Sequence, residues 1–241
     1  MIIDAHSHFQ EIKKDKQEEI IKHSGIVPVV VGYSHSSNIK AVKTAEKFNL
    51  PFVLGIAPQT AQKETMEIEK WKGFIKKNSP NAIGEIGLDY HWGKTTEDLE
   101  KQWYVFEEML KLAEKLKKPV VIHSRKSEED IISTLIEFDF QMPVMFHFFS
   151  GTIEHYKRAS KHLNAYFSII GLRSKNRKKV IKEADLRELL VETDSPYVFR
   201  DPEEVIKSIN YISEVKSINP DKISQITTEN AIKLFDIKRY L

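Results

Sequence analysis

Residues 81–125 read NAIGEIGLDYHWGKTTEDLEKQWYVFEEMLKLAEKLKKPVVIHSR and hold one complete strand–helix–strand unit. Its ends, NAIGEI and PVVIH, are apolar runs of strand length. Between them Trp103, Phe106, Leu110, Ala113 and Leu116 recur at helical spacing. Thr95 stands where a helix cap belongs, with Asp98 at the third helical position, and the helix must end before Pro119. The same alternation extends outward in both directions. MIIDA, PVVVGY, PFVLGI, PVMFH, AYFSII and LLVET are further short apolar or β-branched runs, which brings the strand candidates to eight. Because these runs are apolar on both faces, they read as parallel strands covered on both sides by helices. The spacing predicts helices near residues 12–24, 36–49, 63–78, 127–138, 152–163, 174–184 and 201–216, with two shorter ones closing the chain.

Eight strand–helix units in 241 residues, with no Gly/Pro/Ser-rich linker between them, predict one domain over residues 1–241, a (β/α)₈ TIM barrel. An open doubly wound sheet is the alternative, but DAHSHF stands where its Gly-rich phosphate loop would follow the first strand. A content of 41% hydrophobic and 30% charged residues is that of a globular chain. No apolar run approaches the length of a membrane span. The opening MIIDAHSHF carries neither a basic segment nor an apolar signal core, so a cytoplasmic location is expected. With no cysteine in the chain, disulfides, thiolate nucleophiles and thiolate metal ligands are excluded. A net charge of +2 is far from that of a protein that wraps phosphates, so any nucleic acid must be met locally.

A barrel forms its site at the carboxyl ends of its strands, so the polar residues at those ends carry the chemistry. The first strand ends in His6 and His8, which project to the same side. The fourth ends in Glu85, the fifth in His123, the sixth in His147 and the eighth in Asp194. Any one of these histidines alone would be an ordinary turn or core residue. Six ligand-type side chains on one rim require a common explanation, because each would need a partner on burial. Four imidazoles and two carboxylates suit Zn²⁺, Mn²⁺ or Ni²⁺, or Mg²⁺ where carboxylates and waters dominate. Six ligands exceed the needs of one ion and point to two divalent cations roughly 3.5–4 Å apart, bridged by Glu85. His6, His8 and Asp194 would hold one, and His123 and His147 the other. Asp194 is also placed to act as general base toward a metal-activated water.

The motifs DAHSHF, GEIGLDY, PVVIHSR, HFFSG, LLVETDSPY and TTENAIKLF, in that order, resemble the TatD family of metal-dependent hydrolases, within the amidohydrolase superfamily. The resemblance runs from residue 2 to about 236. It implies a TIM barrel, a divalent-metal site and DNase activity, including removal of nucleotides from the 3′ end of single-stranded DNA. It also implies the ligand set already derived: His6, His8, Glu85, His123, His147 and Asp194. One departure stands out. Where the family usually reads Gly-x-His-Pro, this chain has Gly55-Ile56-Ala57-Pro58, and Ala57 cannot ligate or donate. The cysteine common in the family's HCFSG is Phe148 here, a replacement expected to be neutral.

Substrate contacts are expected from Arg125, whose planar donor fork suits a phosphate, and from Ser150, which precedes a helix. Asp89, Tyr90 and Tyr197 are expected along the groove, with the tyrosines stacking on bases. The cluster Arg173, Lys175, Arg177, Lys178 and Lys179 reads as a solvated helix start. The expected activity is metal-dependent hydrolysis of phosphodiester bonds, with DNA as substrate and neither a membrane nor an obligate protein partner. Two alternatives keep the same ions: hydrolysis of a small ester, amide or lactone, and a metal-binding scaffold whose catalysis is weakened by Ala57.

Overall fold

The computed structural model describes residues 1–63 and 67–240. Each of the eight apolar runs becomes a strand: β1 (Ile2–Ser7), β2 (Ile26–Val31), β3 (Phe52–Leu54), β4 (Ala82–Asp89), β5 (Val120–Arg125), β6 (Val144–Phe146), β7 (Ala165–Ile169) and β8 (Leu189–Val191). Between and after them run α1 (Lys14–His23), α2 (His35–Phe48), α3 (Pro58–Ala61), α4 (Ile68–Asn78), α5 (Thr96–Leu116), α6 (Glu128–Glu137), α7 (Ile153–His162), α8 (Lys175–Glu183), α9 (Val205–Lys216) and α10 (Pro220–Phe235). The strands form one parallel sheet in sequence order. Ser7 at the end of β1 bridges to Ser195 beyond β8, so the sheet curls into a nearly closed TIM-type barrel.

The decisive helix forms as its sequence predicts. Thr95 Oγ1 accepts from the Asp98 amide at 3.1 Å, and Asp98 Oδ2 accepts from the Thr95 amide at 3.0 Å. Lys117 ends it in the left-handed conformation (φ 51°), two residues ahead of Pro119. Its buried face is Val105, Phe106, Met109, Leu110 and Ala113, with Trp103 and Leu116 packed at its margin.

Two apolar shells follow from the period-2 alternation of the strands. The outer one, between sheet and helices, includes Val30, Leu54, Ile83, Ile122 and Phe167. The inner one fills the barrel with Ile3, Val29, Val31, Val53, Val121 and Leu190 and meets Ala231, Leu234 and Phe235 of α10. The Phe235 carbonyl accepts from Asn81 Nδ2 at 3.1 Å, which places the end of α10 beside the start of β4. The chain end therefore plugs the amino end of the barrel and leaves the carboxyl end open for a site.

Three helix expectations are adjusted. Two short closing helices are in fact the 16-residue α10 and a single 3₁₀ turn at Lys238–Tyr240, because Asn219 caps and Pro220 starts one uninterrupted helix. The helix expected at 63–78 begins at Ile68 among the described residues; positions 64–66 lie outside them. The one expected at 201–216 opens with a 3₁₀ turn at Pro202–Glu204 before α9. No helix among the described residues is long and apolar enough to cross a membrane.

Candidate metal centre

The six side chains named from strand ends converge on the carboxyl mouth. His6 Nε2 and His8 Nε2 lie 3.7 and 3.6 Å from Glu85 Oε2, and 3.7 and 3.4 Å from Asp194 Oδ1. The other carboxylate oxygen of Glu85 faces the second pair: Oε1 is 2.7 Å from His123 Nδ1 and 3.3 Å from His147 Nε2. Those two nitrogens are 3.2 Å apart. Glu85 thus divides its oxygens between two sets of imidazoles.

Irregular backbone aims these groups. The pairing register slips between Asp4 and Ser7 on β1 and again between Gly84 and Ile86 on β4, the stretches that carry His6 and Glu85. His147 and Asp194 stand beyond the ends of β6 and β8. Asp194 adopts the left-handed conformation (φ 50°), which aspartate tolerates better than most residues. Its amide donates to the His6 carbonyl at 3.0 Å, and the His8 amide donates to the Ser195 carbonyl at 2.8 Å, so first and last strand ends are tied where their ligands meet. Buried Asp4 reinforces this join by accepting from the Thr193 amide at 2.9 Å and from Thr193 Oγ1 at 2.5 Å. Gly87 (φ 140°) lets β4 approach β5, since a Cβ there would stand 2.1 Å from the His123 carbonyl oxygen.

The outer ring nitrogens of these histidines have partners of their own. His8 Nδ1 donates to the Val31 carbonyl at 2.7 Å, which leaves Nε2, facing Glu85 and Asp194, as the nitrogen that a cation would engage. His123 Nε2 donates to Asp89 Oδ2 at 2.8 Å, and without a cation Nδ1 donates to Glu85 Oε1 at 2.7 Å; loss of that inner proton would free the Nδ1 lone pair for a cation. His147 Nδ1 is 3.6 Å from Glu192 Oε1. Such carboxylate or carbonyl partners on the far nitrogen are the usual support of metal-ligating histidines.

Charge is concentrated here. Burial disfavours the imidazolium of His147, but Glu85 and Glu192 outweigh it and hold the pKa well above the ordinary imidazole value. The same contest raises His123, through Asp89 and Glu85, and His8, through Asp194 and Glu85. Burial together with the neighbouring His147 and His8 drives His6 well below it. Burial would raise Glu85, yet His147 and His123 hold its carboxyl well below the usual range.

The donor set fits divalent cations. Both ring nitrogens of His6 are buried without a hydrogen-bond partner among the described residues, which is costly for a polar group that serves only the core. His6, His8 and Glu85 bring ligand atoms within 4.8 Å of one another, as do Glu85, His123 and His147. Nitrogen and oxygen donors without thiolate suit Zn²⁺, Mn²⁺ or Mg²⁺.

A cavity of about 940 Å³ opens over these groups, at the upper end of ligand-site sizes. Arg125, Ser150 and Tyr197 line it, as does Ala57. Tyr90 is not among its lining residues: its hydroxyl donates to Asp130 Oδ2 at 2.6 Å on the rim. Asp89 stands behind His123 instead of along the groove. Ser150 is not a helix cap; Thr152 caps α7, and Ser150 Oγ donates to Glu128 at 3.0 Å. The Phe148 amide donates to Glu192 Oε1, and its ring lies under Arg177. Residues missed in the sequence include Glu192, Gln59 and Tyr33. Gln59 donates to Asp89 Oδ2 at 3.1 Å, and the Tyr33 and Tyr197 hydroxyls are 3.0 Å apart beside His8.

The family profile described as "TatD related DNase" matches residues 3–236. An uncharacterized metal-dependent hydrolase of Bacillus subtilis is 33% identical, covering 98% of this chain and all of its own. One from Methanocaldococcus jannaschii is 30% identical over 97% of this chain and 96% of its own. A human protein named as a deoxyribonuclease is 29% identical over 100% and 96%. Among solved structures, a TatD homolog of Escherichia coli superposes with a TM-score of 0.86 at 24% identity, covering 98% of both chains.

Proposed function

The chain belongs to the TatD related DNase family, and from that premise we propose that it is a deoxyribonuclease that hydrolyses phosphodiester bonds from the 3′ end of single-stranded DNA. The observation that supports this reading best is the division of Glu85, with Oε2 toward His6 and His8 and Oε1 toward His123 and His147. His6, His8 and Asp194 would hold one divalent cation and His123 and His147 a second, with Glu85 shared between them. Cations bound there supply Lewis acidity to a phosphoryl oxygen and bring the acidity of the attacking water toward neutral pH.

The residues of the chain do the rest. Asp194, at the cavity wall, takes the proton of the attacking water as general base. Water oxygen bonds to phosphorus, the bond to the leaving oxygen breaks, and that oxygen regains a proton. Asp89 and Val31 keep the proton on the outer nitrogens of His123 and His8, so that once the inner protons are lost both rings would present lone pairs inward. Arg125 and Ser150 offer donors to the sugar–phosphate chain, and Tyr197, exposed beside Tyr33, offers a stacking face for a base.

The test follows a labelled single strand with Mg²⁺ or Mn²⁺ added, then with EDTA, for the native chain, Glu85→Ala and Asp194→Asn. Cleavage that needs the cation and is lost in both variants is expected; unchanged cleavage in either variant rejects the mechanism. Ala57, in the cavity wall where the family carries histidine, favours one second reading, a small ester, amide or lactone as substrate. A panel of such esters run beside the oligonucleotide separates the two.

A further inference from the structure

Arg177 belongs to the charged start of α8, a segment whose sequence reads as solvated. The structure buries it: the residue is 6% exposed and lines the cavity above the ligand cluster. One guanidinium nitrogen donates to the Leu172 carbonyl, while Nε is buried with no partner among the described residues. Its guanidinium carbon lies 5.3 Å from the centre of the Phe148 ring. Other arginines of this chain find acids: Arg158 pairs with Glu129, Arg173 with Glu214 and Arg187 with Asp185. Arg177 forms no ion pair among the described residues, although burying an uncompensated cation is expensive. Glu192, the acid whose field it feels, spends Oε1 on the Phe148 amide.

A guanidinium with no acid partner and a donor still free, held in the wall of a site, is suited to an oxyanion that arrives with the substrate. Arg125 lines the same cavity, also without an acid partner among the described residues, and is stacked 5.9 Å over Trp92. The two guanidinium groups stand after β7 and at the end of β5, on either side of the β6 segment that carries His147 and Phe148. We propose that Arg177 holds a non-bridging phosphate oxygen of the bound strand and is a specificity-determining residue for phosphate-bearing substrates. This rests on the nucleic-acid reading above, but its phosphate site is tested separately.

Inorganic phosphate is titrated into EDTA-treated protein while the side-chain Nε–H resonance of Arg177 is followed by NMR, with acetate as control. A saturable shift with phosphate and none with acetate is expected; a resonance that phosphate leaves unmoved overturns the inference. Arg177→Gln is expected to weaken phosphate binding and raise KM for the oligonucleotide about tenfold to a hundredfold, as for a lost charged hydrogen bond. Its kcat should change less than about threefold, and Arg177→Lys should recover part of the loss. Equal KM in folded Arg177→Gln and native protein also overturns it. Should phosphate move the Arg177 resonance while no oligonucleotide is cleaved, the phosphate site stands and the nucleic-acid reading fails.

Discussion

Asp89→Asn isolates how a residue outside the ligand set governs it. Asp89 Oδ1 accepts from the His91 and Trp92 amides, both at 2.9 Å, and Oδ2 accepts from His123 Nε2 at 2.8 Å and Gln59 Nε2 at 3.1 Å. Asparagine has the same shape, and its carbonyl oxygen can keep the two amide hydrogen bonds. Its NH₂ must then face His123 Nε2, where a donor meets a donor. Relief comes by moving the imidazole proton to Nδ1, the nitrogen 2.7 Å from Glu85 Oε1, where a cation would need the lone pair. Loss of such support costs about tenfold to a hundredfold in metal affinity, or about 1.4–2.8 kcal/mol. Calorimetric titration of Mn²⁺ or Zn²⁺ into metal-free protein is expected to show that loss in one class of site. The class held by His6, His8 and Asp194 should keep its affinity. Unchanged affinity in both classes, or an equal loss in both, refutes the reasoning.

Two further outcomes follow from the geometry. Gly87→Ala places a Cβ 2.1 Å from the His123 carbonyl oxygen at a φ of 140°; a cost of at least about 3 kcal/mol is expected, read as a fall in Tm of about 6–12 °C, and a fall below about 2 °C contradicts it. The pH dependence of metal-free protein has a definite sign. His147, His123 and His8 titrate above the free imidazole value, so they contribute stability that is complete below about pH 6.5 and fades as pH rises through their folded-state values. Cations displace those protons. The Tm of the metal-free protein should therefore fall from about pH 6.5 upward while the gain in Tm on adding Mn²⁺ grows; a metal-free Tm that rises over that range contradicts the assignment.

All eight strands were legible because parallel strands covered on both faces are written as plain apolar runs, and the six converging side chains were legible because they stand in or just past those runs, although Glu85, expected at the end of the fourth strand, lies within β4, which continues to Asp89. Strand ends were less so. β6 and β8 are only three residues long, and their ligands sit in irregular backbone that alternation does not describe. Asp89 was within reach of the sequence, since Glu85, Gly87 and Asp89 alternate onto one face of β4, yet alternation says nothing of the imidazole in front of it. Arg177 was beyond reach. The sequence of α8 is basic nearly all round, and only the packing of that helix decides which cation turns inward. The cap of α7 was equally out of reach, because Ser150 and Thr152 are equally good caps in sequence and only the backbone chooses the latter.

The central claim is that Glu85 serves two cations at once. A crystal grown with Mn²⁺ and measured at the manganese absorption edge tests it most directly. Two anomalous peaks roughly 3.5–4 Å apart, one beside His6, His8 and Asp194 and one beside His123 and His147, with a Glu85 oxygen on each, is the expected result. A single peak, or two peaks of which one makes no contact with Glu85, contradicts it.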